Sequence, residues 1–131
     1  CPFAAHIRKV GPRMDIDNNQ NTENQIMRAG IPYGPEVTDE ENASSTAQLD
    51  RGLSFVAYQS SIEEGFIEQQ YDWANDKDFP EKKKYTPGLD GVIGQTGSSQ
   101  DRLVGGLIPG SPSQMKQIPQ FVTPYGGEYF F

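Results

Sequence analysis

The run CPFAAHIRKVGPR opens a 131-residue chain and holds both its only cysteine, Cys1, and its only histidine, His6. That pair limits the available chemistry. Zinc sites take three or four His, Cys or acidic ligands, and this chain has one of each soft type. A Cys–His nucleophile pair is open in composition, although Cys1 and His6 lie too close in sequence to show whether the side chains meet. Haem asks for less, because one imidazole serves as fifth ligand and the rest of the pocket can be apolar. Haem propionates also call for basic residues, and Arg8, Lys9, Arg13 and Arg28 are available. The bland alternative is a structural or surface histidine, since only spatial partners make a site. GGLIPG and TPYGG lack the spacing and the lysine of a phosphate-binding loop.

Few elements are available to position these residues. Gly11-Pro12 stops regular structure, and residues 15–25, DIDNNQNTENQ, read as a polar loop. IMRAGIPYGP supports one strand ending near Pro32. Residues 36–50, EVTDEENASSTAQLD, are acidic and small and read as a solvated excursion. The clearest strand is Gly52–Gln59, GLSFVAYQ, too continuously apolar for an exposed edge. The clearest helix follows it. Ser61 with Glu64, or Ser60 with Glu63, fits a capping box. Ile62, Phe66 and Trp73 fall within about 40° of one another at 100° per residue, so the helix should run to about Asn75 and lay this stripe on a sheet. Residues 76–118 are turn-rich, with Lys82–Lys84 as a solvated basic run. The closing FVTPYGGEYFF reads as a strand broken at Pro124 or Gly126-Gly127. This order predicts an α+β fold, an antiparallel sheet with a helix packed on one face, in one domain spanning 1–131.

Charge and composition exclude some partners. A net charge of -7 argues against nucleic acid, which usually needs a basic footprint, and disfavours an anionic membrane surface. No apolar stretch approaches the roughly 20 residues of a membrane span, and no signal peptide is visible. The opening cysteine implies a longer parent sequence, in which export could have been encoded upstream.

Four segments together, CPFAAHIRK, MRAGIPYGP, GLSFVAYQSSIEEGFIEQQYDWAN and FVTPYGGEYFF, resemble the C-terminal part of the fungal dye-decolourising peroxidases, in order and over almost the whole chain. The resemblance implies an incomplete ferredoxin-like half, with 1–13 as the haem-proximal segment, and haem b as cofactor. It makes His6 the iron ligand and Arg28 the distal residue that binds and polarises peroxide. It gives Asp90 of GLDGVIG, with Asp72 as a poorer match, as the carboxylate that accepts a hydrogen bond from the imidazole. Arg13 remains a basic residue for the cofactor. Trp73, Tyr71 and Tyr85 are possible electron relays, although the helix pattern already explains Trp73 as core. Asp15 and Asp17 could be read as a manganese site, but a polar loop explains them more simply.

The implied reaction is a hydrogen-peroxide-driven one-electron oxidation of bulky dyes or phenolics by a secreted protein. The family's GxxDG motif is missing, and LDGVIG is not one. Full activity would then need a complementary chain, and self-association is the other way to cover the open side. The alternative is a haem-free or weakly haem-binding fragment with a structural or binding role.

Overall fold

The structure is a computed structural model that describes residues 1–96 and 102–131. In chain order the elements are α1 (His6–Lys9), a 3-10 turn (Arg13–Asp15), α2 (Asn18–Glu23), β1 (Met27–Arg28), β2 (Ile31–Tyr33) and α3 (Asp39–Ser44). Then come β3 (Gly52–Ser54), β4 (Ala57–Tyr58), α4 (Glu63–Ala74), β5 (Leu103–Val104) and β6 (Lys116–Gln117). Every strand pairing is antiparallel, and the architecture is α+β, a partial ferredoxin-like domain. None of the described helices is long and apolar enough to cross a membrane. The chain forms two compact units, Cys1–Gln25 with Ser61–Phe131, and Ile26–Ser60.

The smaller unit is one two-stranded ribbon with an excursion at its end. β1 pairs with β4 through Met27 opposite Tyr58, and β2 pairs with β3 through Pro32 opposite Leu53. The Ala29 N–H reaches the Val56 carbonyl at 2.7 Å, so one register runs through both pairings. The single strand expected up to Pro32 is therefore two short strands on one line. The single strand expected in GLSFVAYQ is likewise two short ones, β3 and β4, and it is not buried as expected: Leu53 and Tyr58 are 52 and 61 % exposed. A ribbon of two strands has no second layer to bury both faces.

The excursion at 36–50 is better organised than its composition implies. Thr38 and Glu41 form a full capping box on α3. The buried Glu41 carboxylate then accepts from the N–H groups of Gln48 and Leu49 and from the Arg51 guanidinium, at 2.6 to 3.0 Å. Arg51 also donates to the Pro35 and Glu36 carbonyls. Gly34 makes the turn with φ +88, where a Cβ would sit 2.4 Å from the Asp50 carbonyl oxygen, a conformation and an approach open to glycine.

The larger unit is built on α4. Ser61 caps it, its hydroxyl accepting from the Glu64 N–H. The helix is wound wide, with N–H bonds from Ile67 to Ile62 and from Asn75 to Gln70 spanning five residues. Wide turns of this kind recur at functional sites. Gln69, Trp73 and Ala74 are buried. Trp73 stacks on Phe79 at 5.3 Å between ring centroids, the planes parallel to within 1°. The loop expected at 15–25 holds α2, whose N-terminus is capped by the Asp17 carboxylate. Its end is tied to α4 by reciprocal bonds between Asn24 and the Glu64 and Gln69 groups. Arg102, also buried, donates to the Gly91, Gly94 and Pro119 carbonyls.

The turn-rich reading of 76–118 holds for most of the segment, with β5 and β6 as its short strands; residues 97–101 lie outside the described residues. The strand expected in FVTPYGGEYFF is absent. Residues 121–131 are exposed and carry neither helix nor strand, because Pro124 and Gly126-Gly127 break the run and no neighbouring strand offers a ladder.

Candidate functional site

His6 starts α1, the single helical turn after Ala5. Asp90, 84 positions later, begins a tight turn in which its Oδ1 accepts from the Val92 and Ile93 N–H groups, both at 2.8 Å. His6 Nδ1 lies 3.0 Å from Asp90 Oδ2. The Asp90 side chain is completely buried, while His6 keeps 30 % of its side chain exposed.

Burial alone would push the Asp90 carboxyl up. The bond from the His6 ring and the Ile93 and Val92 N–H bonds outweigh it and hold the group below the ordinary carboxylate value. An ionised carboxylate only accepts, so the ring nitrogen facing it carries the proton. Nε2, on the other side of the ring, points away from Asp90, and no hydrogen bond to it is seen among the described residues. An imidazole whose Nδ1 is held by a buried carboxylate, leaving Nε2 as the free ring position, is the arrangement of a metal-ligating histidine.

Three further bonds hold the pair. The Asp90 N–H donates to the Ala74 carbonyl at the end of α4, at 2.9 Å. Lys9, one turn after His6 and fully buried, donates Nζ to the Trp73 and Asp76 carbonyls at 3.0 and 2.5 Å. Burial pushes its ammonium down to about 8, against the pull of the Asp76, Asp90 and Asp78 carboxylates. Lys9 is thus not available to a haem propionate. Arg8 is also committed: it makes a two-pronged bond to Asp15 at 2.7 and 3.1 Å and lies over the Phe3 ring. Lys83 bonds Asp15 as well, so both Asp15 oxygens are occupied by protein cations, while Asp17 caps α2.

The other predicted residues stand in varied settings. Arg28 is exposed on β1 in the smaller unit. Arg13 is exposed at the 3-10 turn with φ 50, a left-handed conformation that costs energy outside glycine. Neither makes an ion pair among the described residues. Tyr71 is 70 % exposed on α4, and Tyr85 packs on Phe3 at 5.0 Å. Asp72 does not contact His6; it lines an open acidic cleft of about 620 Å³ with Glu68, Asp76 and Trp73. That cleft includes neither His6 nor Asp90. Glu68 there is raised, first by burial and then by the Asp72 charge. The buried Trp73 N–H has no acceptor at hydrogen-bonding geometry among the described residues, although it faces Glu68 closely enough to oppose that rise. Neither the burial of Lys9 nor the Glu41–Arg51 pair is signalled by any local pattern.

Residues 1–86 match the family model for Dyp-type peroxidase, C-terminal. The chain belongs to the Dyp-type peroxidase family. It is 51 % identical over 138 aligned residues to the dye-decolorizing peroxidase AauDyP1 of Auricularia auricula-judae, covering all of this chain and 27 % of that protein. A crystal structure of a triple mutant of the Auricularia peroxidase superposes with a TM-score of 0.88 at 47 % identity, over 97 % of this chain and 30 % of that one. A dye-decolorizing peroxidase in complex with 2,6-dimethoxyphenol superposes with a TM-score of 0.81 at 46 % identity, over 92 % of this chain and 27 % of that one. The chain therefore spans about a quarter of the length of the curated relatives it matches.

The donor set fits the family's cofactor. No group of three or more His, Cys, Asp or Glu side chains that could hold a bare metal ion exists among the described residues. One imidazole with its carboxylate suits a porphyrin iron, whose four equatorial ligands come with the cofactor.

Proposed function

We propose that this chain forms the proximal side of a haem b site in a secreted dye-decolourising peroxidase. The His6–Asp90 pair carries the proposal, with Asp90 completely buried and His6 held through Nδ1, so that Nε2 has no hydrogen-bond partner among the described residues. His6 Nε2 would hold the iron, and Arg13 would be a basic residue available to the cofactor's carboxylates. Bound haem supplies peroxide-driven one-electron oxidation of bulky aromatic donors. The phenolic named with the relative at TM-score 0.81 supports phenols as a donor class.

The chain's own residues have distinct tasks in this reading. Asp90 keeps the proton on His6 Nδ1 and strengthens Nε2 as a donor. Arg28, a permanent positive charge, would be the residue that binds peroxide and stabilises negative charge developing on its oxygen. Tyr71, Tyr85 and Trp73 would pass electrons from donors too large to reach the haem; Tyr71 is the exposed one, and Trp73 is also core. The rest of the pocket, including the GxxDG residues, would come from the remaining length of the family fold or from a partner chain.

The test is a haem titration of the purified protein, followed by absorption, beside His6→Ala. Saturable one-to-one binding with a five-coordinate histidine signature, lost in the variant, is expected. Equal, loose binding by both proteins removes His6 from the iron and leaves the peroxidase assignment as ancestry. The competing reading, a self-associating protein without haem, draws on the exposed apolar residues Phe121, Tyr125, Phe130 and Phe131. A compact oligomer that binds no haem would decide for it.

A further inference from the structure

Lys9 is the one lysine buried to 0 % exposure, and neither the family assignment nor the proposed chemistry gives it a task. Its position explains the burial. One turn after His6 on the same short helix, it extends beneath that helix to the end of α4, where the Trp73 and Asp76 carbonyls accept its ammonium. The Trp73 carbonyl belongs to the group left without intrahelical partners at a helix C-terminus, where positive charge is favoured, and Asp76 follows directly after the C-cap residue Asn75. The carbonyl between them, that of Ala74, accepts the Asp90 N–H. Both halves of the His6–Asp90 pair therefore hang from one turn of chain, His6 through Lys9 and Asp90 through its own backbone.

We infer that Lys9 is a positioning residue that fixes the His6 imidazole against Asp90 by anchoring α1 to the last turn of α4. α1 is only four residues long, too short to hold its own orientation, since isolated helices below about 12 residues are marginal in water. Its docking must come from tertiary bonds, and the Lys9 ammonium supplies two. Without them the angle of His6 rests on its side-chain bond to Asp90, on the Gly91 N–H bond to the Ala4 carbonyl just before the helix, and on the exposed-side pair of Arg8 with Asp15. The inference rests on the preceding reading for the iron's sake, but the orientation itself needs no cofactor.

His6 is the only histidine, so the long-range ¹⁵N–¹H spectrum of the uniformly labelled 131-residue chain reports its tautomer without assignment. In the neutral ring of the wild type one tautomer, with the proton on Nδ1, is expected from the Asp90 contact. In Lys9→Met, which keeps most of the apolar stem and removes the ammonium, the Nδ1–H to Nε2–H ratio should fall by roughly tenfold or more. Val104→Ala, a core truncation in β5, controls for general destabilisation and should leave the tautomer unchanged.

The same tautomer in Lys9→Met, or an equal shift in Val104→Ala, overturns the inference. Should Lys9→Met fail to fold, the wild type still decides. A slowly exchanging ¹⁵Nζ ammonium signal from Lys9 supports the anchor, and exchange as fast as that of the exposed lysines refutes it. Failure of haem to bind would sink the proposed function without touching this result, so the two can fail separately.

Discussion

A carboxyl group sealed from water ought to be a weak acid, because burial disfavours its charge. Asp90 goes the other way, since three donors (His6 Nδ1 and the Ile93 and Val92 N–H groups) stabilise the anion by more than burial costs it. The sign of the pH dependence follows. With its folded value depressed, Asp90 contributes stability that is fully present above its unfolded value, about 3.9, and is lost as pH falls through the folded one. Acid titration of the wild type should show that loss, and Asp90→Asn should lack it when both are followed by circular dichroism. The same variant replaces an anion with a neutral amide, so haem affinity should fall by roughly 10- to 100-fold in the haem titration. Arg28 makes a separate prediction. In a full-length protein carrying this segment, Arg28→Leu should retain haem on His6 yet react with peroxide at least roughly 100-fold more slowly in stopped flow. Unchanged rates would remove Arg28 from peroxide activation.

At the level of elements, local chemistry was readable wherever one stretch of chain contained all of it. Ser61 and Glu64 mark the start of α4, and the apolar run Leu53–Tyr58 marks a strand. Thr38 and Glu41 have the same capping spacing, but the acidic, small-residue composition around them argued for a loop. What closes that loop is Arg51, ten positions from Glu41, and no helix signal reaches so far. The burial of Lys9 was illegible for the same reason, since its acceptors lie 64 and 67 positions away. The pairing of His6 with Asp90 is not written in any periodicity either; only the family resemblance placed the two side by side. The capping box gives a direct test. Thr38→Ala should cost about 1 kcal/mol of stability, the usual worth of such a cap, measured by urea denaturation. Because Glu41 holds Arg51 and the Gln48 and Leu49 N–H groups as well as the cap, Glu41→Ala should destabilise more than Thr38→Ala. An equal or smaller loss would make the buried pair incidental.

For the molecule as a whole, the apolar surface outweighs what the chain covers by itself. Met27, Ile31, Leu53 and Tyr58 stand exposed on the ribbon, and Tyr125, Phe130 and Phe131 in the closing segment. Scattered exposed apolar residues need no explanation, but contiguous runs of them mark surfaces that meet another partner. The curated relatives are about four times longer than the match, so the missing cover would be the rest of the same fold. Two consequences separate this from self-association. The 131-residue chain should release haem during gel filtration, while a full-length protein carrying the same segment retains it. Mixed with the separately produced remainder of the fold, the chain should sediment as a one-to-one complex in preference to its own oligomers. If the isolated chain instead sediments as a stable dimer, ignores the remainder and holds haem unaided, the second copy completes the pocket. The open side would then be an interface between identical chains.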